Sequence, residues 1–299
     1  MSLAYTENEC EYVKDYYDFI SKKILELKLK DDFALLGLQE FDTKDYNIIF
    51  INYEHNLVYP LASYSNTLIG NTPLIDNIEH NYLIRIEKPD HFVNCSYYIE
   101  YSQPNIENIK SHSLLDRFNY KIIYIPPILC EYSPKSENRN EYDVVTSFYI
   151  LNPDGRPRRK IIHDILLSEI PKYHNIPKIF GNELYDNFYK KSKILVNIHQ
   201  TDFHHTFEEL RVLPALLNGL IVIAEDSPLK ESIPYHEYII WCKYEDIVSK
   251  TKEVLDNYEK YYDRIHGKYS NLKETILEME EKMHIEMKNK LTDEKYIFY

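Results

Sequence analysis

RVLPALLNGLIVIAED, residues 211 to 226, is the stretch whose reading decides the fold. Its first half is apolar and carries helical spacing, and Asn218-Gly219 is a helix stop, because a left-handed terminal residue is cheap only for glycine and next best for asparagine. The run that follows, Leu220 to Ala224, is rich in β-branched residues and reads as a buried strand. A helix running directly into a buried strand is half of a βαβ unit, which implies a parallel sheet with right-handed crossovers. Glu225 and Asp226 then stand at the carboxyl end of that strand, where ligand-reading residues belong in such sheets.

Working outward, the alternation continues in both directions. Upstream it predicts a strand at 143–150, a helix at 157–170, a strand near 176–180, a helix at 182–191, a strand at 193–198 and a helix at 206–218. Downstream of the 220–224 strand it predicts a strand at 237–241 and a helix at 244–262. Closer to the N-terminus, residues 8–30 read as an amphipathic helix with Tyr12, Tyr16, Phe19, Ile20 and Ile24 on one side. Short apolar runs follow at Phe33 to Leu38, Ile48 to Asn52, Tyr82 to Ile86, 97–102 and 120–127. Residues 131–142, EYSPKSENRNEY, have the polar composition of a linker. The expectation is an α/β protein of two Rossmann-like domains, 1–135 and 136–270. The charged helical stretch 271–299 either packs back on the first domain or meets a second copy in a homodimer.

Composition narrows the function classes. The chain has 299 residues, a formal net charge of -13 and 44% hydrophobic residues, so it can bury a core and is a poor partner for nucleic acid or an anionic membrane. Cys10, Cys95, Cys130 and Cys242 show no paired spacing, which fits a reduced, cytoplasmic setting better than a disulfide framework. No run has the length of a membrane span, and the polar, acidic start does not resemble a signal peptide. Asn94-Cys95-Ser96 matches a glycosylation sequon, read as chance in that setting. With 29 tyrosines, 6 glycines and one tryptophan, the composition implies an AT-rich coding genome such as that of a giant virus or a low-GC microbe.

Against this acidic background one cluster is basic. DGRPRRKIIHDIL, residues 154–166, gathers Arg156, Arg158, Arg159 and Lys160 at a helix entrance. Cations in a first helical turn oppose the helix dipole by roughly 0.3–1 kcal/mol each. Their presence points to an anion held by guanidinium forks and free backbone N–H groups, the alternative being a solvated basic turn. A second cluster, NIHQTDFHHTFEELR (197–211), puts Asn197 and His199 at a strand end, with Glu208, Glu209 and Arg211 opening the next helix. Thr206 reads as the N-cap of that helix with Glu209 in the capping-box position. His199, Asp202, His204 and His205 do not have zincin spacing, and no metal is expected. With so few glycines there is no P-loop and no glycine-rich phosphate cradle.

Taken in order, these pieces resemble the donor-binding half of the GT-B glycosyltransferases: GRPRRKIIHDIL, then ILVNIHQ, then EELRVLPALLNGLIVIAED. The likeness extends upstream. YNIIFINYEHN (46–56) is similar to a strand carrying "N-x-E", EYSQPNIENI (100–109) to a "D-Y-S-x-x-N" element, and YIPPIL (124–129) to the strand end before the interdomain linker. The resemblance implies a GT-B architecture with the active site in the interdomain cleft. It implies transfer of a sugar from a nucleotide-diphosphate donor to a hydroxyl on a glycan acceptor. Arg158, Arg159 and Lys160 would hold the diphosphate, while His199, Glu209, Arg211 and Glu225 would surround sugar and ribose. Asn197 would shape the loop. The absence of an Asp-x-Asp motif fits a metal-independent reaction without cofactor. One departure stands out: Pro214 occupies the position where many such enzymes carry a ribose-binding glutamate. An inverting reaction would need a base from the first domain, Glu54 first and His55 second. The competing readings are a nucleotide-sugar epimerase or hydrolase on the same fold, and a binding protein that has lost catalysis.

Overall fold

The structure, a computed structural model, describes residues 3–5, 11–29, 32–37, 47–60, 74–77, 82–86, 89–112, 115–134, 139–150 and 157–292. Residue 135, where the sequence predicts that the two domains join, lies outside these, as do Arg156 and the rest of 151–156. The chain groups into two compact units: Met1–Pro126 with Phe203–Phe207 and Met279–Tyr299, and Pro127–Asp202 with Glu208–Glu278.

In the first unit, strands β1 (Leu3–Tyr5), β2 (Phe33–Leu36) and β3 (Asn47–Ile51) flank helix α1 (Lys14–Glu26) in sequence. Strands β4 (Leu57–Pro60), β5 (Leu74–Asn77) and β6 (Tyr82–Arg85) form a small antiparallel sheet in the order 4-6-5. Helix α2 (Pro89–Asn94), β7 (Tyr97–Glu100), α3 (Gln103–Lys110) and β8 (Ile122–Tyr124) complete the unit's main run. The principal sheet is parallel throughout, in the order 1-2-3-7-8. Helix α1 buries Tyr16, Tyr17, Ile20 and Ile24, a stripe at helical spacing. It is shorter than the predicted 8–30 helix: a 3-10 turn at Glu11–Val13 precedes it, and Lys28 turns left-handed at φ 51.

The second unit alternates cleanly. It runs β9 (Tyr142–Thr146), α4 (Arg158–Glu169), β10 (Tyr173–Asn175), α5 (Gly181–Asn187), β11 (Ser192–Asn197), α6 (Glu209–Leu217), β12 (Ile221–Glu225), β13 (Ile239–Cys242), α7 (Ile247–Asp256) and α8 (Tyr258–His266). Helix α9 (Leu272–Thr292) follows, its first residues grouped with this unit and the rest with the first. All pairings are parallel, in the order 10-9-11-12-13. Val144, Val145, Ile194, Leu195, Val196, Val222 and Ile223 are all fully buried, as strands covered on both faces must be. Each such side chain stabilises by roughly 1.5–3 kcal/mol relative to exposure.

Three further expectations fail, two for local reasons and one to tertiary contacts. The strand predicted at 176–180 sits three residues earlier, at Tyr173–Asn175, because Pro177 has no N–H to offer a ladder. The predicted 244–262 helix is a 3-10 turn (Tyr244–Asp246) and two helices, broken where Asn257 Nδ2 donates to the Glu253 carbonyl at 2.9 Å. Thr206 is not a cap. Helix α6 starts at Glu209 with Glu208 at the N-cap position and no side-chain cap, Thr206 Oγ1 lies 2.8 Å from His55 Nδ1, and Glu209 Oε2 accepts from Tyr235 OH at 2.9 Å. For Thr206 and Glu209, tertiary partners prevail over the local capping box.

Candidate functional site

Counted from its own first strand, the second unit's sheet has the order 2-1-3-4-5, so the chain switches winding direction between β9 and β11. Ligands of open parallel sheets bind in the crevice at such a switch, at the carboxyl ends of the strands. Helix α4 is the next element after β9 and starts at Arg158, so Arg158 and Arg159 stand at this crevice. Arg159 is buried and reaches across it, donating from Nε and Nη2 to the carbonyl of Ile198, just past β11, at 3.0 and 2.9 Å. Its Nη2 also meets Glu208 Oε1 at 3.2 Å, and its guanidinium lies over the Phe148 ring. Burial pulls its pKa down to about 10, against the pull of Glu208, so it stays protonated at neutral pH.

Arg158 sits one step outward. Its fork is bidentate on Glu225, Nη2 to Oε1 at 2.6 Å and Nη1 to Oε2 at 3.0 Å, and Nη1 also donates to the His199 carbonyl at 3.3 Å. Its Nε faces Asp202 Oδ1 at 2.8 Å, and its guanidinium stacks 4.3 Å from the Tyr244 ring centroid while Tyr244 OH donates to the Arg158 carbonyl. Asp202 differs from the other carboxylates here: its side chain is 64% exposed, against 10% for Glu225 and 6% for Glu208.

Between the two arginines lies the end of β11. Asn197 Nδ2 donates to Glu208 Oε2 at 2.6 Å, and its Oδ1 accepts from Arg211 Nη1 at 3.2 Å. His199 donates its N–H to Glu225 Oε2 at 3.1 Å, has Nδ1 3.5 Å from Glu208 Oε2, and points Nε2 at the Asp226 carbonyl at 3.3 Å. Burial lowers the His199 pKa, but the bond to Glu208 and the charges of Glu208 and Glu225 outweigh it, and the net shift is upward. For Glu225 the balance also falls upward: burial prevails over His199 and Arg158.

The basic first turn of α4 therefore has its negative partners within the protein. Glu208 and Glu225 are the buried ones, set against Arg158, Arg159 and Arg211, so one cation is in surplus until the exposed Asp202 is counted. Of the residues singled out in the sequence, Arg158, Arg159, Asn197, His199, Arg211 and Glu225 come together here. Lys160 does not: it pairs with Asp164 one turn along the exposed face. Glu209 turns into the core toward Tyr235, and its neighbour Glu208 holds the place beside Asn197. Pro214 lies inside α6, where its carbonyl accepts from Asn218. Sequence reading names Glu208 and Asp202 without giving either a place at the donor site, and does not single out Tyr244. The adjacent glutamates differ only in which way the helix start turns them.

A second polar cluster belongs to the first unit, at the carboxyl ends of the adjacent strands β3 and β7. Glu100 is fully buried, and both its oxygens accept: Oε2 from Asn52 Nδ2 at 2.7 Å, Oε1 from Asn105 Nδ2 at 2.8 Å and from the Ser102 N–H at 3.2 Å. The same two amides donate to the Glu54 carbonyl, at 2.9 Å from Asn52 and 3.1 Å from Asn105. Asn52 Oδ1 accepts the Glu54 N–H at 3.2 Å, and Asn105 Oδ1 accepts the Asn56 N–H at 3.0 Å. Glu54 Oε1 accepts from Tyr12 OH at 2.9 Å, and His55 Nδ1 lies 3.0 Å from Tyr101 OH. Burial pushes the Glu100 pKa up to about 8, against the donors that favour its charged form. Asn52 and Glu54, and Tyr101, Ser102 and Asn105, which the sequence offered as two separate motifs, thus form one network around Glu100.

No protein-family model matches the chain. Three uncharacterized proteins of Acanthamoeba polyphaga mimivirus are similar to it. One is 33% identical over 123 residues, covering 39% of this chain and 42% of that protein. A second is 25% identical over 193 residues, and a third 25% identical over 256 residues, covering 83% of this chain and 77% of the relative. The chain spans less than half the length of the first two relatives, 42% and 20%. Among solved structures it is similar to an α1,3-fucosyltransferase at 12% identity and TM-score 0.47, covering 87% of this chain and 79% of that one. A structure of an α1,3-fucosyltransferase with GDP-fucose gives 12% and 0.42, covering 94% and 89%, and the GtfA/B complex gives 9% and 0.42, covering 92% and 58%. Among the described residues no helix is long and apolar enough to cross a membrane.

Proposed function

We propose that the chain is a glycosyltransferase that takes its sugar from a nucleoside-diphosphate donor, without a metal, and passes it to a hydroxyl of a glycan or glycoconjugate. The observation that carries this reading is the placement of Arg158 and Arg159 at the winding switch of a parallel sheet, at the start of α4. Arg159 braces the crevice and Arg158 is the ligand-facing cation. Its Nε edge is held by the exposed Asp202, which a diphosphate oxygen can replace, while the Glu225 fork stays in place and keeps the guanidinium aimed.

In the reaction the acceptor oxygen attacks the anomeric carbon, the bond from that carbon to the diphosphate breaks, and the electron pair leaves with the nucleoside diphosphate. Arg158 stabilises the charge that grows on that leaving group. If configuration inverts, the acceptor proton goes to Glu54 or His55; if it is retained, Glu54 orients the acceptor.

The test is thermal denaturation with nucleoside diphosphates and nucleotide sugars in chelator, on wild type, Arg158→Ala and Asp202→Asn. Arg159 is left intact because its loss would disrupt the crevice itself. A ligand at one hundred times its dissociation constant adds about 2.7 kcal/mol of stability. Wild type should shift with one base, Arg158→Ala should lose the shift, and Asp202→Asn should bind more tightly. Silence of both wild type and Asp202→Asn across the panel would overturn the reading.

A further inference from the structure

The Glu100 network has a logic that a core-filling role does not need. A fully buried carboxylate with no cation among the groups that shift it is costly, and an apolar side chain of similar size would be cheaper. What it provides is directionality. Once ionised, above its pKa of about 8, the carboxylate only accepts, and it then forces both Asn52 and Asn105 to present their NH2 groups to it. Each amide oxygen is then compelled to face the other way, onto the Glu54 N–H and the Asn56 N–H respectively. The two NH2 groups also converge on the Glu54 carbonyl, so both backbone polar groups of Glu54 are held by side chains that Glu100 has oriented. Tyr101, the next residue after Glu100, reaches His55 in turn.

We propose that Glu100 is a positioning residue, which through Asn52 and Asn105 sets the backbone of Glu54 and so the direction in which Glu54 and His55 leave the carboxyl end of β3. Its effect on turnover rests on the transferase reading; the positioning itself does not. Neither carboxyl oxygen touches the reacting groups. The Glu100→Gln change isolates the claim, because glutamine has the same shape but one accepting and one donating end. One of the two asparagines must then turn over, placing its NH2 against a backbone N–H.

The experiment compares full-length wild type with Glu100→Gln in two measurements, both at about pH 9, where the wild-type carboxylate is ionised. In hydrogen exchange, the Glu54 amide or the Asn56 amide of the variant, whichever faces the asparagine that turns, should exchange about tenfold faster or more, as expected for a lost hydrogen bond, while those of Ile49 and Phe50 in β3 keep their protection. In donor turnover, kcat should fall by roughly ten- to a hundredfold with the donor KM within about twofold, the signature of a misplaced group away from the donor. Unchanged exchange at Glu54 and Asn56 overturns the inference, as does exchange that quickens equally along β3. If wild type turns over no nucleotide sugar, the transferase reading fails, and the exchange comparison still decides the positioning. Should Glu100→Gln not fold, Asn105→Ser removes the Asn56 acceptor outright and is therefore read at the Glu54 amide alone: faster exchange there supports the positioning, and unchanged exchange overturns it.

Discussion

Arg159 and Ile198 are joined twice: Nε and Nη2 of the guanidinium both donate to the one carbonyl oxygen, at 3.0 and 2.9 Å, across the gap between the β9–α4 connection and the end of β11. That double bond of hydrogens, with Glu208 behind it, makes Arg159 a brace. Arg159→Ala should therefore destabilise the protein by about 3–5 kcal/mol, since it leaves Glu208 buried without its cation. Arg159→Lys keeps the charge but loses the fork, and should fall between. Urea unfolding of the two variants checks this; an alanine variant within about 1 kcal/mol of wild type would show that the brace carries nothing.

How much of this was legible beforehand depends on the length scale of the cause. The alternation in the second unit shows in sequence because β11 and β12 are buried on both faces, and a two-sided burial leaves a continuous apolar run. The Asn218-Gly219 stop shows because backbone conformation is a local property. The Arg158–Arg159 pair was visible as an electrostatic oddity, but its partners were not, for Glu225 lies 67 residues from Arg158 in the chain. Glu208 and Glu209 could not be told apart: one step along a helix start sends one to Asn197 and the other to Tyr235. Glu100 left a faint trace, a carboxylate closing the apolar run Tyr97-Tyr98-Ile99. Only the register of β3 against β7 shows that Asn52 waits beside it.

His266 predicts an acid limb in stability. Its Nε2 donates to the Leu220 carbonyl at 3.0 Å, Nδ1 lies 3.2 Å from Tyr132 OH, and burial holds its pKa down to about 4. An unfolded histidine takes up its proton near pH 6.5, so between 6.5 and 4 the unfolded chain binds more protons than the folded one. This contribution is fully present above pH 6.5 and is lost as pH falls, by roughly 3 kcal/mol at about 1.4 kcal/mol per unit. His266→Gln should flatten that part of the profile, measured as denaturant midpoints at pH 7 and 4.5. A wild-type profile that keeps the same slope in the variant would remove His266 as its cause.

Glu100 predicts the opposite slope on the alkaline side. Its folded pKa of about 8 lies above the unfolded carboxyl value, so the folded state holds the proton longer. Stability is greatest below the unfolded value, declines as pH rises toward 8, and levels off once the folded form ionises as well. From pH 6.5 to 8 His266 no longer offsets this, although His199, whose pKa is also raised, adds a decline of its own. Glu100→Gln, which cannot titrate, should lose the Glu100 share of the decline across that interval. The facing groups, Asn52, Asn105 and the backbone N–H groups of Tyr101 and Ser102, do not ionise and cannot substitute for it. A decline undiminished in the variant would assign it elsewhere.

Gly181 and Gly219, the left-handed glycines among the described residues, should respond differently to alanine. Gly181 has φ +57 with nothing within 4 Å of where a Cβ would stand, so Gly181→Ala should cost only the conformational strain, about 1 kcal/mol. Gly219 has φ +81, and its Cβ would come within 2.6 Å of the Pro134 Cα and carbonyl oxygen and 2.5 Å of Arg139 Nη2. The guanidinium could swing aside only by giving up its bonds to the Pro134, Ser192 and Asn218 carbonyls, and the proline backbone cannot move without them. Strain and collision add, so Gly219→Ala should cost about 3 kcal/mol or more. Parallel urea titrations give the ranking directly, and equal losses at the two positions would mean that the turn after α6 yields more easily than its packing implies.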